Sequence, residues 1–210
     1  MFDPKWEDIH NSRPWSNVHN ITLCKVVEAS IPKGGKILDL GCGVGAQAIH
    51  LAFQDYHVLG VDGSISALNN LKQSLIVEFP KNLTLVAADV MNLDYPPIFD
   101  CVIDAALLLH LPYDMGRELV QRVKRWLTPE GVFVSFNPRS IPEKYTYGQF
   151  TNFYTLEHMT EIVKSWRCYE LASIDSEIMS KEVLSYWWAQ MSHRSLKVSI
   201  NDYIGKVGRE

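Results

Sequence analysis

The stretch Ile37-Leu38-Asp39-Leu40-Gly41-Cys42-Gly43-Val44-Gly45-Ala46 reads as a short buried strand, a turn built on three glycines and the start of a helix. Glycines at 41, 43 and 45 let the backbone turn sharply and let a ligand approach without meeting a Cβ. The pattern alone fits more than one cofactor, because Gly41-x-Gly43-x-x-Ala46 also satisfies the dinucleotide fingerprint with Ala in third place.

Outward from this turn the chain alternates. Residues 36–40 read as a strand and 44–54 as a helix; 57–61 is a strand, 66–79 a helix, 83–87 a third strand and 99–103 a fourth. A helix over 114–127 stops at Thr128-Pro129-Glu130-Gly131, and 132–137 is a fifth strand. Short, near-continuous apolar strands alternating with helices predict an α/β fold, a doubly wound sheet covered on both faces. Later, Thr155 caps a helix to about Trp166, and 169–174 and 183–191 read as two further strands. The eight residues between them are too few for a helical crossover. The expected sheet is therefore seven-stranded and mostly parallel, with the last strand antiparallel. Upstream, Ser16 is the expected cap of a helix ending near Glu28, and the residues from His193 read as a polar tail. One domain over 1–210 is expected: an N-terminal lid and helix (1–35), a cofactor-binding core (36–137), a substrate loop with the C-terminal strands (138–192) and the tail (193–210).

Charge chooses between the cofactors. Asp39 stands two positions before the first glycine, where a carboxylate would face and repel a pyrophosphate. A cofactor with a cationic amino-acid end removes that conflict, and S-adenosylmethionine carries both an ammonium and a sulfonium. Asp62, twenty-one residues after Gly41, closes the second strand, where an acid accepts both ribose hydroxyls of either cofactor. Asp89 follows the third strand and can accept from an adenine amino group, with the Val90 amide in reach of the ring.

Asp39-x-Gly41-x-Gly43-x-Gly45, Val61-Asp62-Gly63-Ser64, Asp89, Phe99-Asp100-x-Val102 and Leu127-x-Pro129-x-Gly131 occur in that order. Together they resemble the class I, Rossmann-like S-adenosylmethionine-dependent methyltransferases over about residues 37–136. The resemblance implies that Gly41, Cys42 and Gly43 approach the methionine end, Asp62 and Gly63 the ribose, and Asp89 with Val90 the adenine, while Asp104 and Ala105 flank the methyl-donor pocket. Two departures stand out: Pro129-Glu130-Gly131 where the family often has Pro-Gly-Gly, and Asp104-Ala105-Ala106-Leu107 where nucleobase-amine methylases carry Asn/Asp-Pro-Pro-Tyr. The second argues against a nucleobase amine as acceptor. Trp6-Glu7-Asp8-Ile9-His10 with Arg13-Pro14-Trp15 is similar to the start of small-molecule branches such as thiopurine, halide and tellurite methyltransferases. In those the N-terminal segment folds over the cofactor, which makes Trp15 a lid residue.

For catalysis the candidate is His110, just beyond the fourth strand, as acceptor of a substrate proton. Tyr145, Tyr147, Phe150, Phe153 and Tyr154 crowd the loop after the fifth strand and are candidates for substrate contact; of the adjacent Trp187 and Trp188, strand alternation assigns at least one to the core. Composition excludes several partners. Twenty Lys and Arg against twenty-four Asp and Glu give a net charge of −4, with no basic run to neutralise nucleic-acid phosphates. No apolar stretch approaches the roughly 20 residues that span a bilayer, and Cys24, Cys42, Cys101 and Cys168 form no metal-binding spacing. The expected protein is cytoplasmic, without disulfides or metal, and methylates a small molecule. A cofactor-binding regulatory protein without turnover, or an NAD-dependent dehydrogenase, are the alternatives.

Overall fold

The glycine turn leaves an interior strand of a seven-stranded sheet in a computed structural model that describes residues 3–12, 20–74, 78–140, 152–177 and 183–204. In chain order the elements are α1 (Lys5–Ser12), α2 (Ile21–Ser30), β1 (Lys36–Leu40), α3 (Ala46–Phe53), β2 (His57–Asp62), α4 (Ile65–Ser74), β3 (Leu83–Ala87), β4 (Phe99–Ala105), α5 (Tyr113–Trp126), β5 (Leu127–Ser140), α6 (Leu156–Lys164), β6 (Cys168–Glu177), β7 (Val183–Ser192) and α7 (Asn201–Ile204). The strand order is β3-β2-β1-β4-β5-β7-β6. β1 through β5 pair in parallel, and β7 enters antiparallel to both β5 and β6. From β1 the chain builds one half of the sheet through β2 and β3, then returns to place β4 on the other side of β1. That reversal opens a crevice at the carboxyl ends of β1 and β4, where ligands of such sheets bind.

Two cores lie on opposite faces. Leu38, Leu40, Val102, Phe133 and Met191 pack with α5 and α6 on one face, and Ile37, Val58, Ile103, Val134 and Trp188 with α2 and α3 on the other. The helix α5 shows why: Gly116, Leu119, Val120, Val123 and Trp126 are its buried positions, a single stripe at helical spacing. Trp187 belongs to the first core and Trp188 to the second, so the alternation expected for adjacent strand residues holds and both are core. Tyr154 is core as well, its hydroxyl donating to the Leu111 carbonyl at 3.1 Å.

Four sequence expectations change. α2 begins at Ile21 with Asn20 as its cap, accepting from the Leu23 amide at 3.0 Å; Ser16 lies outside the described residues. α3 begins at Ala46, since Gly45 sits at φ +74° and the backbone is still turning there. Residues 128–131 do not separate a helix from a strand but bulge within β5, whose Leu127 pairs with Phe99 and Val132 with Cys101. Residues 194–204 are not a free polar tail: Ile200 is fully buried, Leu196 and Tyr203 pack beside it, and Glu170 of β6 accepts from the Ile200 amide at 2.7 Å and the Ser199 hydroxyl at 3.1 Å. Among the described residues no helix is long and apolar enough to cross a membrane.

Candidate active site

Three acids converge below the glycine turn. Asp39, opposite Gly60 of β2 and Ile103 of β4, is 2% exposed, and its Oδ2 meets no hydrogen-bond partner among the described residues. Burial pushes its carboxyl up to about 8, helped by the neighbouring charges of Asp62 and Asp104 and offset only in part by the Ala48 amide in the first turn of α3. An acid so placed gains from a cation brought beside it. Asp62 ends β2 and folds the turn onto itself, its Oδ2 accepting from the Gly43 amide and its Oδ1 from the Ser64 amide, each at 2.8 Å. Burial raises its pKa, and those two amides and His10 pull it back.

Asp104 is used internally. Its Oδ1 accepts from the amides of Leu107 and Leu108 at 2.8 and 3.3 Å, and its Oδ2 from Ser135 Oγ and Asn137 Nδ2 at 2.8 and 2.6 Å. Asn137 in turn accepts from the Leu109 amide at 3.3 Å. This buried network pins the segment after β4, in which Ala106 is held at φ +70°, a left-handed conformation that costs a non-glycine residue about 1–2 kcal/mol. Asp104 therefore shapes the crevice wall from behind, while Ala105 beside it is only partly buried. His110 closes a short 3-10 turn on that segment, Leu108–His110, with its amide donating to the Leu107 carbonyl at 2.9 Å.

The glycines of the turn have positive φ of 63°, 54° and 74° at 41, 43 and 45. Among the described residues a Cβ on Gly43 would meet only His10 Cε1, at 4.0 Å, so these residues leave room on the outer side of the turn. Cys42 faces the other way: its thiol is buried against Gly60, and only its backbone belongs to the turn's open side. Gly63 is partly buried between Asp62 and Ser64. Asp89 caps the 3-10 turn Val90–Asn92, accepting from the Met91 amide at 2.9 Å, and the Val90 side chain is buried.

Trp15, and the loop aromatics Tyr145, Tyr147 and Phe150, lie outside the described residues. What covers the glycine turn among the described residues is α1. Its His10 stands over Gly43, and its Trp6 meets His110 edge-on with ring centroids 4.5 Å apart. Its Glu7 reaches Ser64 Oγ, the Ile65 amide and the Ser66 amide at 3.1, 2.6 and 3.0 Å. Burial raises the Glu7 pKa but the hydrogen bonds outweigh it, leaving it below the ordinary value; burial lowers that of His10 against the pull of Asp62 and Glu7. Individual roles for Glu7, His10 and Asn137 are not readable in the sequence, since their partners lie 57, 33 and 28 residues away.

Residues 37–131 match the model of a family described as a methyltransferase domain. The chain is 32% identical over 114 residues to the putative methyltransferase YqeM of Bacillus subtilis, covering 52% of this chain and 45% of that protein. It is 24% identical over 158 residues to a ubiquinone biosynthesis O-methyltransferase of Pseudomonas aeruginosa, covering 72% and 65%. It spans less than half the length of the first curated relatives it matches, from 29% to 46%. Magnesium protoporphyrin IX methyltransferase from Synechocystis PCC 6803, solved with bound S-adenosylmethionine, superposes with a TM-score of 0.61 at 16% identity, covering 89% of this chain and 80% of that one. Residues 37–131 thus match a methyltransferase domain, and the sheet around them has the fold of solved S-adenosylmethionine-dependent methyltransferases.

Proposed function

We propose that this protein binds S-adenosylmethionine at the carboxyl ends of β1 and β2 and transfers its methyl group to a small-molecule acceptor. The observation that carries the proposal is the buried Oδ2 of Asp39, unpartnered among the described residues, beneath a glycine turn at which those residues leave room over Gly43. A buried acid of that kind regains its charge beside a cationic cofactor end and has no such gain from a pyrophosphate. Asp62, Gly63, Asp89 and Val90 would hold the ribose and adenine, and the backbone of Gly41, Cys42 and Gly43 the methionine end. When bound, this cofactor supplies a methyl group made electrophilic by the adjacent sulfonium.

The chain's own work is alignment and exclusion of water, which can contribute up to roughly 7–11 kcal/mol when reacting atoms are well placed. The Asp104, Ser135 and Asn137 network fixes the segment from Ala105 to His110 at the crevice wall. His110 would take a proton from an acceptor that needs to lose one, and Trp6 fixes the ring it leans on. The small-molecule reading is supported by the names of the relatives, which include methyltransferases for coclaurine and for a heptyl-hydroxyquinolone, and by a structural neighbour solved with 1,6-didemethyltoxoflavin. A cytoplasmic location goes with that reading, and nucleic acid is not among the expected partners.

The test is calorimetric titration of the full chain with S-adenosylhomocysteine and, separately, NAD, followed by a panel of phenolic, amine and thiol acceptors read out by S-adenosylhomocysteine formation. Binding of the sulfur ligand without NAD, and turnover on at least one acceptor, is the expected result. Binding without turnover on any acceptor would favour a regulatory protein, and NAD binding would reverse the cofactor assignment.

A further inference from the structure

Helix α4 begins directly after Asp62, and its first amides need acceptors that the helix cannot supply. Ser64 serves as its cap, with Oγ accepting from the Ala67 amide at 3.1 Å. The two preceding amides, of Ile65 and Ser66, are taken by Glu7 of α1, and the Ser64 hydroxyl donates to the same carboxylate. One side chain from almost sixty residues away thus completes the cap, in the position where a negative charge also meets the favourable end of the helix dipole. The docking of α1 is reinforced by Asn70 Nδ2 of α4, which donates to the His10 carbonyl at 3.0 Å, and by Trp6 against His110 on the far wall of the crevice. All of these contacts are made by the protein itself. They hold His10 over Gly43, 4.0 Å from where a Cβ would stand, so α1 lies across the side from which a ligand would approach the turn.

We infer that Glu7 is a positioning residue, a latch whose grip on the start of α4 sets how fast S-adenosylmethionine enters and S-adenosylhomocysteine leaves. The inference rests on the cofactor reading given under Proposed function. Releasing the latch favours the displaced position of α1, so both entry and exit quicken. Damage to the binding contacts would instead speed exit alone.

The experiment compares the full-length protein with Glu7→Gln, which keeps the size but loses the charge and one acceptor. Association and dissociation of S-adenosylhomocysteine are followed by stopped-flow tryptophan fluorescence, and hydrogen exchange of residues 5–12 is measured on the protein alone. Expected are roughly tenfold increases in both rate constants, corresponding to about 1.4 kcal/mol of latch energy, a Kd within threefold of the parent, and exchange of residues 5–12 faster by a similar factor. Should Glu7→Gln fail to fold, Glu7→Asp carries the same test, since it is one methylene too short to reach all three donors. Unchanged rate constants, or faster dissociation with unchanged or slower association, would overturn the latch while leaving the cofactor site standing. No binding of S-adenosylhomocysteine to the parent would overturn the site reading and the kinetic role with it.

Discussion

Alanine at Gly43 and alanine at Gly45 should fail for different reasons, although both glycines have positive φ in one turn. At Gly45 a Cβ would lie 1.9 Å from Leu71 Cδ1 and 2.6 Å from its Cγ. Leu71 is fully buried in α4, where a close-packed interior resists a change of rotamer. Left-handed strain of about 1–2 kcal/mol therefore adds to overpacking of about 1–3 kcal/mol, giving about 2–5 kcal/mol. For a chain of this length that is a fall in Tm of about 4–20 °C. At Gly43 the new Cβ meets nothing among the described residues nearer than His10 at 4.0 Å, so only the strain is counted and Tm falls by about 2–4 °C per kcal/mol. The methyl group, however, occupies the space between the turn and α1, and S-adenosylhomocysteine affinity should drop at least about tenfold, or 1.4 kcal/mol. Thermal and urea denaturation give the first quantity and calorimetry the second. If Gly45→Ala proved as stable as Gly43→Ala, the packing of the turn onto α4 described above would be wrong. If Gly43→Ala bound as tightly as the parent, the ligand would not lie on that side.

Asp39→Asn separates stability from function. Because the folded carboxyl titrates near 8 and an unfolded one near 3.8, the folded state holds a proton that the unfolded state has lost. The parent therefore loses stability as pH rises from about 4 to about 8, by at most about 1.4 kcal/mol per pH unit. The amide variant should gain on the parent over that window in urea denaturation at pH 5, 6.5 and 8, while binding S-adenosylmethionine more weakly; equal pH slopes would show that Asp39 is ionised throughout. Asn137→Ala removes a donor from Asp104 and the acceptor of the Leu109 amide, and should cost about 2–4 kcal/mol in urea denaturation. Asn137→Asp, adding a second buried acid, should cost more than Ala, and the reverse order would mean that the network takes up a proton freely. Asp62→Ala should weaken both cofactor binding and folding, since the Gly43 and Ser64 amides lose their acceptor. Asp62→Asn, which keeps one acceptor, should be the milder in chemical denaturation.

How far the sequence carried depended on whether the deciding contact was local. β1 and β3 lie where periodicity placed them, over residues 36–40 and 83–87, because buried parallel strands declare themselves through their own apolar runs. The reversal of β7 was legible from the short connection before it. α1 was not, because an eight-residue segment, Lys5–Ser12, with a single buried side chain, that of His10, has little local reason to be helical and is held by Glu7 on a distant helix. The glycine spacing marks a ligand-approach turn, but only coordinates distinguish Gly45, packed on Leu71, from Gly43, which faces His10 of α1. Asp104 was expected at the methyl-donor pocket from its place in the family pattern; its four donors come from Leu107, Leu108, Ser135 and Asn137, and no spacing rule reveals the last two. The segment after β7 looked polar because Leu196, Ile200 and Tyr203 are spread among hydrophilic neighbours, and it is Glu170 that anchors them.

The placement of β7 between β5 and β6 has a consequence for the order in which the chain can assemble. β6 touches the rest of the sheet only through β7, with which it pairs antiparallel along Cys168–Glu177 and Val183–Ser192. These two strands are neighbours in sequence and can zip together as a hairpin, on a microsecond scale, before either meets β5. Docking the hairpin then closes a much longer loop onto Val132–Ser140, which makes it the slow, non-local step. Until that happens β5 presents an unpaired edge, and an unpaired edge is a template for another chain. Refolding yield should therefore fall with protein concentration through β5, not through the glycine turn, and the C-terminal hairpin serves the nascent protein as a guard against self-association before it serves the sheet.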